Sequence, residues 1–305
     1  MATFGEEKFE AFVYLDHHNV PAIWNIVRGG YNTPDCLPPE EGAFVISLAV
    51  ASMLSNSEDG AISANRLISE LYLDGIRHRY YPDNVSRLRG VFVFDSIESM
   101  SELWETNRWG GHFSDEYIAD IGVYAKKSSR VDSNWIAHVF KHDGTLQPDW
   151  ETAAHNYWSG EAYPNKTPIW ERIVEGTITI WSMQPKFDAF KEIEAIWPNS
   201  LGLLSHCVNC FTYGSLDGQS YPRMDIKPDH IEINYYLRLV DSLNSEFIAR
   251  LADFLDKHPE QRCLMPSLGM NTPDLKNFSI KLYPDDTTNL KGIIQSLISM
   301  AQSQP

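Results

Sequence analysis

The chain has 305 residues, 43% of them hydrophobic and 22% charged, and a formal net charge of -16. That length allows one large core or two modest ones, and two unequal units are expected. The acid surplus excludes passive, sequence-independent binding to nucleic acid or an anionic membrane, which needs a broad excess of Lys and Arg; a local basic cleft is still permitted.

The opening "MATFGEEKFEAF" lacks the basic start and long apolar stretch of a secretory signal, so a cytoplasmic protein is expected. "AIWNIVRGG" (Ala22 to Gly30) reads as a short strand that breaks at paired glycines. The most apolar run, Ala43 to Leu54, is shorter than the roughly 20 residues a membrane helix needs and reads as a buried helix. Leu67, Ile68, Leu71, Tyr72 and Ile76 recur at helical spacing, and that helix stops before Pro82.

"GVFVF" then gives a strand, "SIESMSELWETN" a helix, "YIADIGVYAKK" a strand, and "TPIWERIVEGTITIWSM" one long or two consecutive strands. Between the last two, "PDWETAAHNYWSGEAYPN" reads as aromatic and irregular. From about Gln184 the pattern alternates: helix at "FDAFKEIEAIW", strand at "HIEINYYLRLV", helix at "SEFIARLADFLDKH", strand at "NFSIKLY", helix at "LKGIIQSLISM". Gly, Pro and Asp in "YGSLDGQSYPRMDIKPD" mark a loop.

Cys36, Cys207, Cys210 and Cys263 are too few and too irregular to staple such a chain, and the single C-x-x-C has no second pair at zinc spacing, so packing thiols and no metal are expected. Glycine-rich nucleotide loops, G-x-S-x-G and H-E-x-x-H are absent from the sequence.

Two stretches stand out chemically. "IRHRYYPDNVSRLRG" gathers Arg77, Arg79, Arg87 and Arg89 against one acid, Asp83, and arginine suits paired hydrogen bonds to phosphate. Arg87, between a turn and a strand about to be buried, has the stronger case as an anion grip; Arg89, on the alternate side, reads as a solvated edge. In "WERIVEGTITIW", Glu171 enters a strand otherwise made of apolar and β-branched residues, and Glu175 shares its face if the strand is regular. The residues alone leave the choice between the two carboxylates open.

Taken in order, "IWNIVR", "RGVFVFDSIESMSELW" and "IWERIVEGTITI" resemble the split NAD-binding core of the ADP-ribosyltransferases, in the branch of diphtheria toxin and the poly(ADP-ribose) polymerases. The resemblance covers roughly the first 185 residues and is closest to uncharacterised bacterial members. It implies an α+β fold: a split β-sheet core with flanking helices over residues 1–185, followed by a smaller α/β accessory domain over 186–305.

By the same resemblance, Glu171 falls on the catalytic glutamate, while Asn25, Arg28, Arg87, Phe92 and Leu103 or Trp104 would bind the cofactor. Asn25 stands where the family has histidine and Phe92 where it has tyrosine, which keeps a hydrogen-bonding amide and a stacking face. Ile169 occupies the position of the second acid of the arginine-specific branch, so arginine modification is not expected. The implied activity is mono-ADP-ribosyl transfer from NAD to a protein or nucleic-acid acceptor, as in a bacterial toxin or antiviral effector. The second unit would hold the target or a neutralising partner protein. Two alternatives follow from the same residues: an NAD glycohydrolase, and an inactive binding module of the same fold.

Overall fold

A computed structural model describes residues 3–283, apart from 17, 56–59, 106–114, 228 and 266–268, and apart from the side chains of 102–105 and 115. The first half contains β1 (Thr3–Phe4), β2 (Glu7–Tyr14), α1 (Val20–Arg28), β3 (Gly30–Asn32), α2 (Pro39–Gly42), α3 (Leu48–Ser55), α4 (Gly60–Tyr80), β4 (Val91–Val93), α5 (Ile97–Glu105) and β5 (Ile118–Asp132). There follow α6 (Ile136–Val139), α7 (Trp150–Ser159), β6 (Trp170–Ile180), α8 (Met183–Ile196), α9 (Leu201–Tyr213), β7 (Ser220–Ile226), β8 (Ile231–Leu237), α10 (Ser245–Lys257) and β9 (Ile280–Leu282).

The fold is α+β, with antiparallel sheets. The long strands β5 and β6 pair at its centre; β1 and β2 add to β5, and β3 and β4 add to β6. Their ladder is regular except for a bulge at Lys126, between Ala125 and Lys127, which bends β5 where β6 carries Glu175 and Gly176. At Gly176 the backbone has φ of 152°, and an added Cβ would lie 2.1 Å from the Tyr124 carbonyl oxygen, so only glycine fits the crossing.

Three segments differ from the sequence reading. The Ala22 to Gly30 stretch is not a strand but the helix α1: Pro21 presets its first turn, and Gly29, left-handed at φ 109°, ends it. Its β-branched residues suggested a strand, but Ile23, Trp24 and Ile26 are buried on a helical face, and tertiary packing overrides propensity. The segment read as irregular contains α7, which buries Ala153, Ala154, Tyr157 and Trp158 and closes at Gly160, where the Gly160 and Glu161 amides donate to the Tyr157 and Asn156 carbonyls. The segment read as a loop contains β7; its Pro222, which has no N–H to give, is tolerated because β7 lies at a sheet edge.

The carboxy-terminal sheet, β7-β8-β9, is antiparallel, because β7 and β8 join through a short hairpin instead of the helical crossover that an α/β unit uses. The helix expected at "LKGIIQSLISM" lies outside the described residues. One hydrophobic cluster runs from Ala11 and Ile23 through Val174 and Ile178 to Ile233 and Leu282, drawing on both sides of the 185/186 division. A second, with Leu73, Val85, Val131, Tyr157, Trp158 and Ile173, packs against the other pleat of β6. Among the described residues no helix is long and apolar enough to cross a membrane.

Candidate active site

The residues of β6 that share a face are Glu171, Ile173, Glu175, Thr177 and Thr179. Along this row burial relaxes: Glu171 and Ile173 are buried, and Glu175, Thr177 and Thr179 are half-buried. Helices α4 and α7 close the first end, since Glu70 and Tyr157 both reach the Glu171 neighbourhood.

At the closed end, Glu171 is 1% exposed and Arg87 is buried with it. Arg87 Nη1 donates to Glu171 Oε1 at 3.1 Å, and its Nε and Nη2 donate to the Glu70 carboxylate at 3.0 and 3.3 Å. Arg66 adds bonds of 3.2 and 2.9 Å to Glu70. Tyr157 donates to Glu171 at 2.7 Å and accepts from Arg87, while the Phe92 ring lies under the guanidinium at 4.7 Å.

Two arginines thus face two carboxylates in one buried network. Burial pushes the Glu70 carboxyl up, but Arg87 and Arg66 outweigh it and hold it below the ordinary range. Glu171 has only part of Arg87, and burial leaves its carboxyl above the ordinary value. Arg87, the anion grip of the sequence reading, is filled by internal carboxylates.

The structure therefore brings Arg87, Phe92 and Glu171 together, but not Asn25 and Arg28. Those two sit on α1 and hold the loop that leads into β7. The Asn25 amide donates to the Ser220 carbonyl at 2.9 Å and accepts from the Ser220 amide at 2.8 Å. Arg28 donates to the carbonyls of Asp217, Gly30 and Ser215 at 3.1, 3.0 and 2.9 Å, and burial pulls its guanidinium down to about 10. Trp24 completes the seam with an Nε1 bond of 2.9 Å to the Gly218 carbonyl. The backbone of Leu103 and Trp104 belongs to α5; their side chains lie outside the described residues.

At the open end the roles reverse. Arg89, read from sequence as a solvated edge, is largely buried, and burial lowers its proton affinity. Among the described residues its guanidinium makes one hydrogen bond, to the Gly42 carbonyl at 3.1 Å, and has no carboxylate at ion-pair distance, though Glu175, Asp35 and Asp74 lie within electrostatic reach. Glu175 lies within electrostatic reach of Arg89, Arg77, Lys127 and Asp35, yet takes part in no ion pair among the described residues. Burial, with Asp35 adding to it, pushes the Glu175 carboxyl up.

The loop over this end is pinned to the Gly176 crossing. The Thr33 hydroxyl accepts from the Gly176 amide at 2.6 Å, and the Thr33 amide donates to the Gly176 carbonyl at 2.9 Å. Bulged Lys126 reaches Asp35 at 3.3 Å, beside Cys36, whose thiol burial pushes up. Arg89 and Glu175 thus lie within electrostatic reach of each other without forming an ion pair, and Lys127, the cross-strand neighbour of Glu175, adds a further cation nearby. No sequence signal singled out Arg89 over Arg87, because the side that stays open depends on what α7 covers.

Residues 44–193 match a family model described as Protein of unknown function (DUF2441). The matched span contains Arg87, Arg89, Glu171 and Glu175 and leaves out Asn25 and Arg28. No curated protein is matched by the chain. Among the described residues no group of three or more His, Cys, Asp or Glu is placed to hold a metal ion.

Proposed function

We propose that the protein is a mono-ADP-ribosyltransferase that breaks the nicotinamide–ribose bond of NAD and transfers ADP-ribose to a macromolecular acceptor. The observation that carries this reading is the closeness, at the open end of β6, of Arg89, whose guanidinium has no carboxylate at ion-pair distance among the described residues, to the half-buried carboxylate of Glu175. The dianionic pyrophosphate of NAD needs a local cationic grip in a protein of net charge -16, and Arg89 with Lys127, both close to Glu175, would supply one.

Glu175 takes the role that the sequence resemblance gave to Glu171. Its carboxylate accepts a hydrogen bond from a ribose hydroxyl and stabilises the positive charge that develops at C1′ as nicotinamide departs with the bonding electrons. The acceptor nucleophile then bonds to C1′ and gives up its proton, for which a carboxyl of raised proton affinity is a suitable base. Glu171 acts from the closed end of the same face, fixing β6 through Arg87 and Tyr157.

The test is incubation of the pure protein with NAD labelled in its adenylate half, with and without cell lysate. Nicotinamide release with label retained on macromolecules supports transfer; subsequent protease and nuclease digestion identifies the acceptor class. Release of free ADP-ribose alone would mean that water is the acceptor, and no release at all overturns the reading.

A further inference from the structure

Beyond Glu175 the same face of β6 borders a hollow of about 390 Å³, lined by Thr177, Thr179, Asn32, Phe211, Thr212 and Ser215. Its volume lies within the roughly 300–1,000 Å³ of small-molecule sites. No charged side chain lines it, although acids dominate the protein. A ligand here is neutral where it touches the wall.

The wall has two textures. Phe211 is a fixed flat surface: the Arg28 guanidinium, itself tied to three carbonyls, lies 4.6 Å from the ring centroid, and Gly29 and Gly30 lie close to the ring. A Cβ at Gly30 would come within 2.7 Å of the Phe211 ring. A pre-ordered aromatic face stacks a planar ring at little entropic cost. Opposite in character are the hydroxyls of Thr177 and Thr179, two residues apart on one strand face and so roughly 6.5–7 Å from each other. Thr177 donates to Asn32 at 2.7 Å and keeps its lone pairs for another donor.

We infer that this hollow is a binding site for a nucleoside, with the flat base against Phe211 and the ribose hydroxyls toward Thr177 and Thr179. The site goes beyond the transfer reaction: it is built by β6, β3 and the carboxy-terminal end of α9, and it stands whether or not NAD is consumed.

Direct binding decides it, with no turnover readout. Adenosine and nicotinamide riboside are titrated into the full chain by calorimetry and ligand-observed NMR, with methyl glucoside as a neutral sugar lacking a base. At least one nucleoside is expected to bind and methyl glucoside to fail. Phe211→Ala should weaken nucleoside binding by about 5-fold or more, the range that loss of base stacking gives. Because Phe211 also packs on α1, Thr212→Trp serves as a second variant: Thr212 is exposed on the rim, so the indole fills the hollow without disturbing the core. Failure of both nucleosides to bind, equal binding of methyl glucoside, or nucleoside binding unchanged in Thr212→Trp overturns the site. NAD turnover with an empty hollow, or a filled hollow without turnover, separates this inference from the proposed function.

Discussion

Arg87 Nη1 lies 3.1 Å from Glu171 Oε1, and both side chains are almost wholly removed from water. Glu70, Tyr157 and the Phe92 ring complete the enclosure, so the guanidinium that sequence order marked for a ligand is consumed inside the fold. A buried pair of this kind is weak evidence for net stability but strongly penalises the loss of one partner, because the other charge is left stranded.

Arg87→Met should therefore cost about 3–5 kcal/mol of unfolding free energy, and Glu171→Gln less, since its amide still accepts from Tyr157 or Arg87. Replacing Arg66, Arg87, Glu70 and Glu171 together with apolar residues of similar volume should restore much of the loss, since no charge of the network is then left stranded. Urea denaturation of the three variants checks this. A wild-type midpoint for Arg87→Met would show that the enclosure is not the support described.

Arg89→Gln is expected to behave in the opposite manner. Among the described residues the guanidinium has one hydrogen bond and no carboxylate at ion-pair distance, and burial outweighs the pull of the nearby acids, so its removal relieves a desolvation cost and stability should hold or rise slightly. Affinity for pyrophosphate and for NAD should fall by about tenfold or more, the weight of one charge-assisted contact of roughly 1.5–3 kcal/mol. Calorimetric titration of pyrophosphate into the variant reads this without any turnover.

Much of the architecture was legible, and the reasons are local. Periodicity alone located α4, α8 and α10, and the β-branched run of β6 announced its strand. Helix α1 was misread because Ile23, Trp24, Ile26 and Val27 have strand propensity, whereas the deciding signals were Pro21 at one end and Gly29 at the other. The site was legible only to its face. Period two correctly put Glu171 and Glu175 on one side of β6, but a strand pattern cannot reveal which end a distant helix will cover, and α7 was hidden in an aromatic segment. Phe211 gave no signal either, since in α9 it reads as one more apolar helix residue.

Asn25 provides a separate check on the division between binding and structure. Its amide closes both backbone groups of Ser220, so Asn25→Ala leaves a buried N–H and C=O unpaired and should cost about 1–3 kcal/mol. Hydrogen exchange at the Ser220 amide should accelerate, and NAD affinity should stay at its wild-type value. A large loss of NAD affinity with native exchange would return Asn25 to the ligand.

The pH dependence of stability isolates Glu175. Its folded-state proton affinity is raised by burial, so between the unfolded value near 4.3 and the higher folded value the native state binds more protons than the unfolded chain. Stability from this group is complete below that window and is lost as pH rises through it. Glu171 contributes with the same sign, and Glu70, whose affinity is lowered, with the opposite sign; the informative quantity is therefore wild type against Glu175→Gln. The variant should lose part of the downward slope above about pH 4.3 and match or exceed wild type in stability at pH 7. In the same preparation NAD cleavage should fall by about 100-fold or more, the scale of one positioned acid–base group. A variant that keeps its cleavage rate while flattening the stability curve would leave Glu175 a buried carboxyl with no chemical duty, and the transfer would need another carboxylate.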